Sequence, residues 1–506
     1  MALIKSALAR AFERFEAIFI YAFGQRNNPF VLLGALGWYF YWIVAATGVY
    51  LYIFFDTGIT DAYASVEYIT NDQWYAAGVM RSLHRYASDA LVVVVVLHMF
   101  REFAFDRLRG RRFFAWLTGI PLLAFIYLCG ISGYWLVWDQ LAQYIALATT
   151  EWLDALPLFG EPIANNFLNS KTLGGRFFTL MVFIHIFGPL FMLLLMWVHI
   201  QRHSEARVNP PRPLAAGTLA MLLVLSLVYP AVSQGPANLD VVPTELGLDW
   251  FYLAGYPLLE IVPGGQLWLY LIAAFTILAV LPWAPPAHRV PAAIVNLDNC
   301  NGCSRCFDDC PFGAISMVAR TDGQAYDVEP VVNVNQCTSC GICTGSCPTS
   351  TPFRRAGPLQ PGIELPHMTI AALRDELVAN GTANGREIHV VVFACDTSDS
   401  DALAADGATV IKLPCVGMLP PSFVDFALAR HYADGIMITG CAEGDCQHRL
   451  GNEWTNERIA RRRDPHLRQR VDDHRLSLTW LPSGATQRRR RALADFRAAL
   501  AELDDE

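Results

Sequence analysis

Arg81-Ser82-Leu83-His84 and Leu97-His98 lie in one apolar run, and Phe183-Ile184-His185 and Val198-His199 lie in another. The two histidines of each run are fourteen positions apart. Fourteen steps along an α-helix rise ~21 Å and complete just under four turns. Each run therefore predicts a membrane helix with both histidines on one face, one near each side of the bilayer. Two such helices facing each other make two bis-histidine sites, stacked across the membrane. Histidine inside a membrane helix is costly and is usually functional. An imidazole pair between facing helices suits a b-type haem. Lone histidines hydrogen-bonded inside a bundle are the competing reading, and it does not account for one spacing used twice.

Glycines carry the same interval. Gly34 and Gly48 are fourteen apart, as are Gly119 and Gly133, on the two other long apolar runs. A haem plane needs a helix backbone to come close, and only glycine removes the obstructing Cβ. Small-residue packing between helices explains one such pair, but not two that match the histidine repeat.

These residues resemble the cytochrome b of quinol–cytochrome c oxidoreductases and its photosynthetic relative, over roughly residues 11–283. The resemblance implies an α-helical transmembrane bundle with two haem b groups. It implies Gly34, Gly48, Gly119 and Gly133 as clearance for the haems and Arg81 beside a propionate. It also implies a homo-dimer of the cytochrome b part within a larger complex.

Six stretches are apolar enough to span: 29–55, 74–100, 113–138, 177–200, 214–232 and 267–283. Residues 56–72 hold four acids and no Lys or Arg, whereas 101–112 hold five arginines against two acids. Residues 201–212 are basic through Arg202, Arg207 and Arg212. Basic loops stay inside, so both termini are expected in the cytoplasm of a bacterium, with the bundle in its inner membrane. His84 and His185 then form the outer haem site, and His98 and His199 the inner one. Residues 1–28 interleave Lys5, Arg10 and Arg14 with apolar residues and predict an amphipathic helix on the membrane surface.

Two further segments resemble the same family. Gly133 to Gln140 resembles the loop beside its outward quinol site, with Val137 in place of a proline. Leu248-Asp249-Trp250-Phe251-Tyr252 resembles its Pro-Glu-Trp-Tyr motif, with Leu for Pro, Asp for Glu and Phe251 inserted. This implies Asp249 and Tyr252 at an outer quinone site, with Asp249 exchanging protons. An interfacial Asp among belt aromatics is the plainer reading. His203, near Arg207, marks an alternative inner quinone site.

Past the Pro285-Pro286 exit the chemistry changes. Twelve of the thirteen cysteines follow residue 299 in tight clusters, which reads as metal binding in a reducing compartment rather than disulfides. Cys300-x2-Cys303-x2-Cys306-x3-Cys310-Pro311 repeats as Cys337-x2-Cys340-x2-Cys343-x3-Cys347-Pro348. In such a run three thiolates wrap one cubane and the fourth ligates the other. Cys300, Cys303, Cys306 and Cys347 are expected to hold one [4Fe–4S], and Cys337, Cys340, Cys343 and Cys310 the second. The segment resembles a two-cluster bacterial ferredoxin.

Four short apolar runs, 388–394, 409–414, 435–440 and 476–481, alternate with helical stretches and predict a parallel sheet. Cys395, Cys415 and Cys441 each follow a strand, and Cys446 comes soon after, on the rim where such sheets bind ligands. A [2Fe–2S] cluster on four thiolates is the simplest occupant; zinc and redox-active thiols are the others. Gly440 to His448, with Gly451-Asn452, resembles the small (delta) iron–sulfur subunit of methyl-viologen-reducing hydrogenase. The basic run at 488–491 reads as a solvated helix face.

The expected domains are 1–28, the surface helix; 29–284, the di-haem bundle; 291–355, the ferredoxin-like part; 368–483, the [2Fe–2S] α/β part; and 484–506, a charged tail. Hydrophobic residues make up 54% and charged residues 17%, which fits a membrane protein with soluble portions. The sequence has neither a dinucleotide glycine fingerprint nor a recognisable nucleophile–base pair, and nothing in it points to nucleic acid. The expected function is a membrane electron-transfer subunit of a quinone-linked oxidoreductase. Electrons would pass from a cytoplasmic flavoprotein dehydrogenase through [2Fe–2S], two [4Fe–4S] and two haems to quinone. Reverse transfer from quinol, driven by the proton-motive force, and a non-enzymatic redox-sensing anchor are the alternatives.

Overall fold

The computed structural model describes the chain apart from residues 1, 25–26, 106, 110–111, 157–161, 164–167, 169–173, 202–207, 285–290, 335, 356, 382–387, 399, 482–484 and 506. His203 and Arg207 therefore lie outside the described residues. The chain divides into two compact units, Leu32–Pro285 and Met1–Val31 with Pro286–Glu506. Helix α1 (Ala2–Phe23) belongs to the latter. It buries Phe12, Glu16 and Ile20 and leaves Leu3, Ile4, Phe15 and Ile18 exposed.

Among its described residues the unit Leu32–Pro285 is built on helices: α2 (Leu33–Phe54), α3 (Asp61–Glu67), α4 (Val79–Ala104), α5 (Phe113–Val137), α6 (Gln140–Asp154), α7 (Gly175–Gln201), α8 (Arg212–Val228) and α9 (Gly264–Val280). Among the described residues, four helices are long and apolar enough to cross a membrane: Leu33–Phe54, Phe113–Val137, Gly175–Ile200 and Gly264–Trp283. Such helices are apolar all round because lipid takes the place of a core. The other two expected spans differ in kind. α8 has 17 residues, a rise of ~25 Å. α4 has 26 residues but carries Arg81, Arg85, Asp89, Arg101 and Glu102.

α2 packs along α4, and α5 along α7. α5 ends at Trp138, held in a left-handed conformation at φ 51°. Asp139 then caps α6, its carboxylate accepting from Ala142 N at 2.8 Å and from Gln234 N at 2.9 Å. This cap ties the end of α5 to the segment that leads to Asp249.

The second unit opens with two antiparallel pairs. β1 (Ile294–Val295) pairs with β4 (Ile363–Glu364), and β2 (Ile315–Ala319) with β3 (Val328–Val332). Two short helices, α10 (Arg305–Asp308) and α11 (Ile342–Ser346), lie within the cysteine runs. A four-stranded, all-parallel sheet follows in the order β6-β5-β7-β8: Thr409–Leu413, Val390–Cys395, Gly435–Gly440 and Leu476–Trp480. Every residue of β5 and β7 is buried, as expected of central parallel strands covered on both faces.

Side chains alternate between those faces. Val391, Phe393, Ile436 and Ile438 join a core with residues of α12 (Ile370–Asn380), α13 (Pro421–Ala429) and α14 (Gly451–Ile459). That same core takes in Phe312, Cys340 and Ile342 from the ferredoxin-like part. Val390, Val392, Ala394 and Met437 pack instead with Leu493, Phe496 and Leu500 of α15 (Thr486–Asp505). Residues 484–506 are thus not a charged tail. Apolar residues at 493, 496 and 500 give α15 a buried stripe. The basic run does present a solvated face at Arg488, Arg490 and Arg491, with Arg490 paired to Asp406, whereas Arg489 is fully buried and donates to Leu481 O.

Candidate metal centres

The histidines come together as pairs between α4 and α7. The His84 and His185 ring centroids are 6.3 Å apart. Two imidazoles bonded at about 2 Å to opposite sides of one metal place their centres ~6 Å apart. His199 lies within electrostatic reach of His98 at the other level.

Three of the rings are oriented from behind by the partner helix. His84 Nδ1 is 3.0 Å from Val44 O and 3.1 Å from Thr47 Oγ1. His185 Nδ1 is 3.0 Å from Cys129 O and 3.2 Å from Ser132 Oγ. His199 Nδ1 is 3.0 Å from Thr118 Oγ1. A carbonyl can only accept, so Nδ1 of His84 and of His185 carries the proton and Nε2 presents its lone pair. This is the arrangement of a metal-ligating histidine.

The four glycines face these rings one to one. A Cβ at Gly48 would come within 3.0 Å of His84 Cε1, and one at Gly133 within 2.9 Å of His185 Cε1. At Gly34 and Gly119 the distances to His98 and His199 Cε1 are 3.5 and 3.6 Å. Each glycine thus gives room to an imidazole, beside the haem clearance expected from the sequence. Three of the glycines follow the hydroxyl that meets Nδ1: Thr47-Gly48, Thr118-Gly119 and Ser132-Gly133. A Ser/Thr-Gly pair was therefore the sequence signal for ring orientation, and the spacing argument passed over it.

Arg81 donates to Thr70 Oγ1 and, at 3.0 Å, to Ser233 Oγ, with Glu67 4.0 Å away. These partners hold the loop above His84.

Asp249 and Tyr252 enter a buried polar cluster that also contains residues the sequence reading missed. Tyr134 donates its hydroxyl to Asp249 Oδ2, and Arg85 Nη2 lies 3.4 Å from the same oxygen. Arg85 Nε reaches Asp89 at 3.3 Å, and its guanidinium covers the Tyr134 ring at 4.6 Å. The Tyr252 hydroxyl meets Ser88 Oγ at 2.6 Å. Asp249 and Asp89 are both buried, whereas Trp250 is 74% exposed. Two buried carboxylates share one guanidinium. Arg85 and Asp89 were legible as ionisable residues inside a membrane helix, a functional pointer in its own right.

In the second unit the cysteines sort into three groups. Cys306 lies close to Cys300, Cys303 and Cys347, and burial plus repulsion by those neighbours pushes its thiol up to about 12. Cys310, Cys337, Cys340 and Cys343 line one common pocket. Burial pushes the Cys340 thiol up to about 12 as well. Taking up a metal centre would ionise such thiols and release protons. The fourth cysteine of each run thus sits with the other run.

In the third group, thiol contacts run from Cys395 to Cys415, Cys415 to Cys446, Cys446 to Cys441 and Cys441 back to Cys395. Val416 N donates to Cys395 Sγ at 3.3 Å. Gly440 gives the ring room, since a Cβ there would come within 3.1 Å of Cys395 Sγ. A Cβ at Gly451 would collide with Cys415 Sγ. Among the described residues no three Cys, His, Asp or Glu side chains form a group that could hold a single metal ion. The observation here is the ring of four thiols, and the identity of its metal is a separate question.

Three family models match in succession. Residues 24–205 match cytochrome b/b6/petB, residues 299–351 the 4Fe-4S dicluster domain, and residues 390–504 the delta subunit of methyl-viologen-reducing hydrogenase. A chain of a solved structure described as a hyperthermophilic respiratory Complex III is 21% identical. The match covers 50% of this chain and 75% of that one, with a TM-score of 0.42. The family matches and the apolar helices define a membrane electron-transfer protein. It joins a cytochrome b region to a 4Fe–4S region and a hydrogenase-delta-like region.

Proposed function

We propose that this chain is the membrane subunit of a quinone-linked oxidoreductase. It receives electrons from a cytoplasmic flavoprotein dehydrogenase and delivers them to membrane quinone. The bound groups supply one-electron transfer: one [2Fe–2S] at Cys395, Cys415, Cys441 and Cys446, two [4Fe–4S] at the eight ferredoxin-type cysteines, and two b haems.

One observation carries the reading: the facing His84 and His185 rings, 6.3 Å apart, each with Nδ1 against a backbone carbonyl. That geometry fits two axial ligands of one haem. The remaining roles fall to residues of the bundle. Arg81 neutralises a propionate near the outer face. Asp249, buried with Arg85 and Asp89, hands protons to quinone, and Tyr134 fixes the carboxylate by its hydrogen bond. The basic loops support a cytoplasmic side for the cysteine-rich part.

Purifying the native complex tests this directly. A flavoprotein should accompany the chain, and quinone should reoxidise the reduced haems. Haems that remain reduced when quinone is added would refute the assignment.

A further inference from the structure

We propose that Arg458 is a positioning residue that ties the three candidate iron–sulfur centres into one rigid electron path. The inference rests on the ligand sets proposed above. Arg458 lies on α14, and its side chain is 1% exposed. Its Nη2 donates to Asp309 Oδ2 at 2.5 Å and to Ser346 Oγ at 2.7 Å, and its Nη1 donates to Gly417 O at 2.8 Å. Asp309 precedes Cys310, Ser346 precedes Cys347, and Gly417 is two residues past Cys415. One guanidinium therefore grips a neighbour of one ligand from each of the three sets.

The backbones at this joint are in close approach. A Cβ at Gly345 would run into Gly417 O and lie 2.8 Å from Arg458 Nη1. A Cβ at Gly417 would come within 2.9 Å of Ile342 Cγ1. Ser346 Oγ also donates to Asp309 at 2.6 Å, and Trp454 Nε1 donates to Asp309 O at 3.2 Å. Arg463 takes the other carboxylate oxygen of Asp309 at 2.6 Å and pairs with Glu457 at 3.2 Å. The charges of Arg458, Arg463, Asp309 and Glu457 balance.

A buried ion pair adds little stability compared with apolar packing of the same volume, and its better-attested use is to fix one arrangement. A planar fork with several fixed donors suits that task, and a lysine cannot replace it. Here the arrangement fixed is the spacing of three cysteine-bearing segments. Electron transfer between centres depends on that spacing.

The test uses the full chain, purified anaerobically with its iron, in wild-type, Arg458→Gln, Arg458→Lys and Gly345→Ala forms. Paramagnetic resonance reads the three centres and the magnetic coupling between them, and redox titration reads their potentials. Arg458→Gln removes one positive charge and should weaken electron affinity about tenfold, ~59 mV for one electron. It should also alter the coupling. Arg458→Lys should restore the potentials and leave the coupling altered. Gly345→Ala should alter the coupling at unchanged potentials, and it decides the matter if Arg458→Gln does not fold. Wild-type potentials and coupling in both Arg458→Gln and Gly345→Ala would overturn the proposal. A wild-type protein lacking any [2Fe–2S] signal would instead refute the ligand assignment on which it rests.

Discussion

Gly133 stands where a methyl group would come within 2.9 Å of His185 Cε1, closer than the 3.6 Å between the equivalent point on Gly119 and His199 Cε1. The two histidines share a helix and a spacing, so the difference isolates the tightness of the clearance. Overfilling a packed site costs about 1–3 kcal/mol. Gly133→Ala and Gly48→Ala should displace their imidazoles and lower outer-haem content. Gly34→Ala and Gly119→Ala should leave the inner haem nearly intact. Reduced-minus-oxidised spectra and haem counts check the ranking, and equal losses at all four positions would contradict it.

The histidine, glycine and cysteine positions were legible because their chemistry is periodic. Fourteen steps return to one helix face, and two residues separate neighbouring thiols of a set expected to wrap one cubane. The parallel strands were legible too: buried strands are continuous apolar runs, and 435–440 matches β7 to the residue. What could not be read is what long-range contact creates. Nothing local says that Arg458 meets Asp309, 149 positions away. Arg489 looks like any surface arginine until α15 lies down on β5 and β7. Thr47 and Ser132 are ordinary membrane-helix hydroxyls until a histidine of another helix arrives beside them.

The axial pairing separates the two haem sites. His185→Ala should remove the outer haem and keep the inner, and His199→Ala should do the opposite. Two haems per chain in His185→Ala would show the pairing to be wrong.

The ring of four thiols predicts an independent centre. Cys441→Ser should abolish a [2Fe–2S] paramagnetic signal and about two irons per chain while both [4Fe–4S] signals persist. If a cubane signal disappears instead, the groups have been divided incorrectly.

The buried Asp249 cluster bears on how the membrane potential acts. Asp249 follows a segment pinned to Asp139 at the end of α5, an end that the proposed topology puts outside. Under the proposed function, quinone reduced there would take protons from the outer face, by way of Asp249 and Asp89, while electrons would arrive from the cytoplasm. Both movements run down the proton-motive force. One charge moved through 100 mV is worth ~2.3 kcal/mol, so the field can assist a donor only slightly more reducing than quinone. This gives a physical reason for two haems across the bilayer, since an inner quinone site near His203 would need only one. In proteoliposomes with the clusters on the negative side, collapsing the potential should slow quinone reduction. Asp249→Asn should slow it as well, by about tenfold or more if the carboxylate is a general acid–base group, with both haems retained. Should neither treatment change the rate while His203→Ala does, quinone is reduced on the inner side and the outer haem is not on the path.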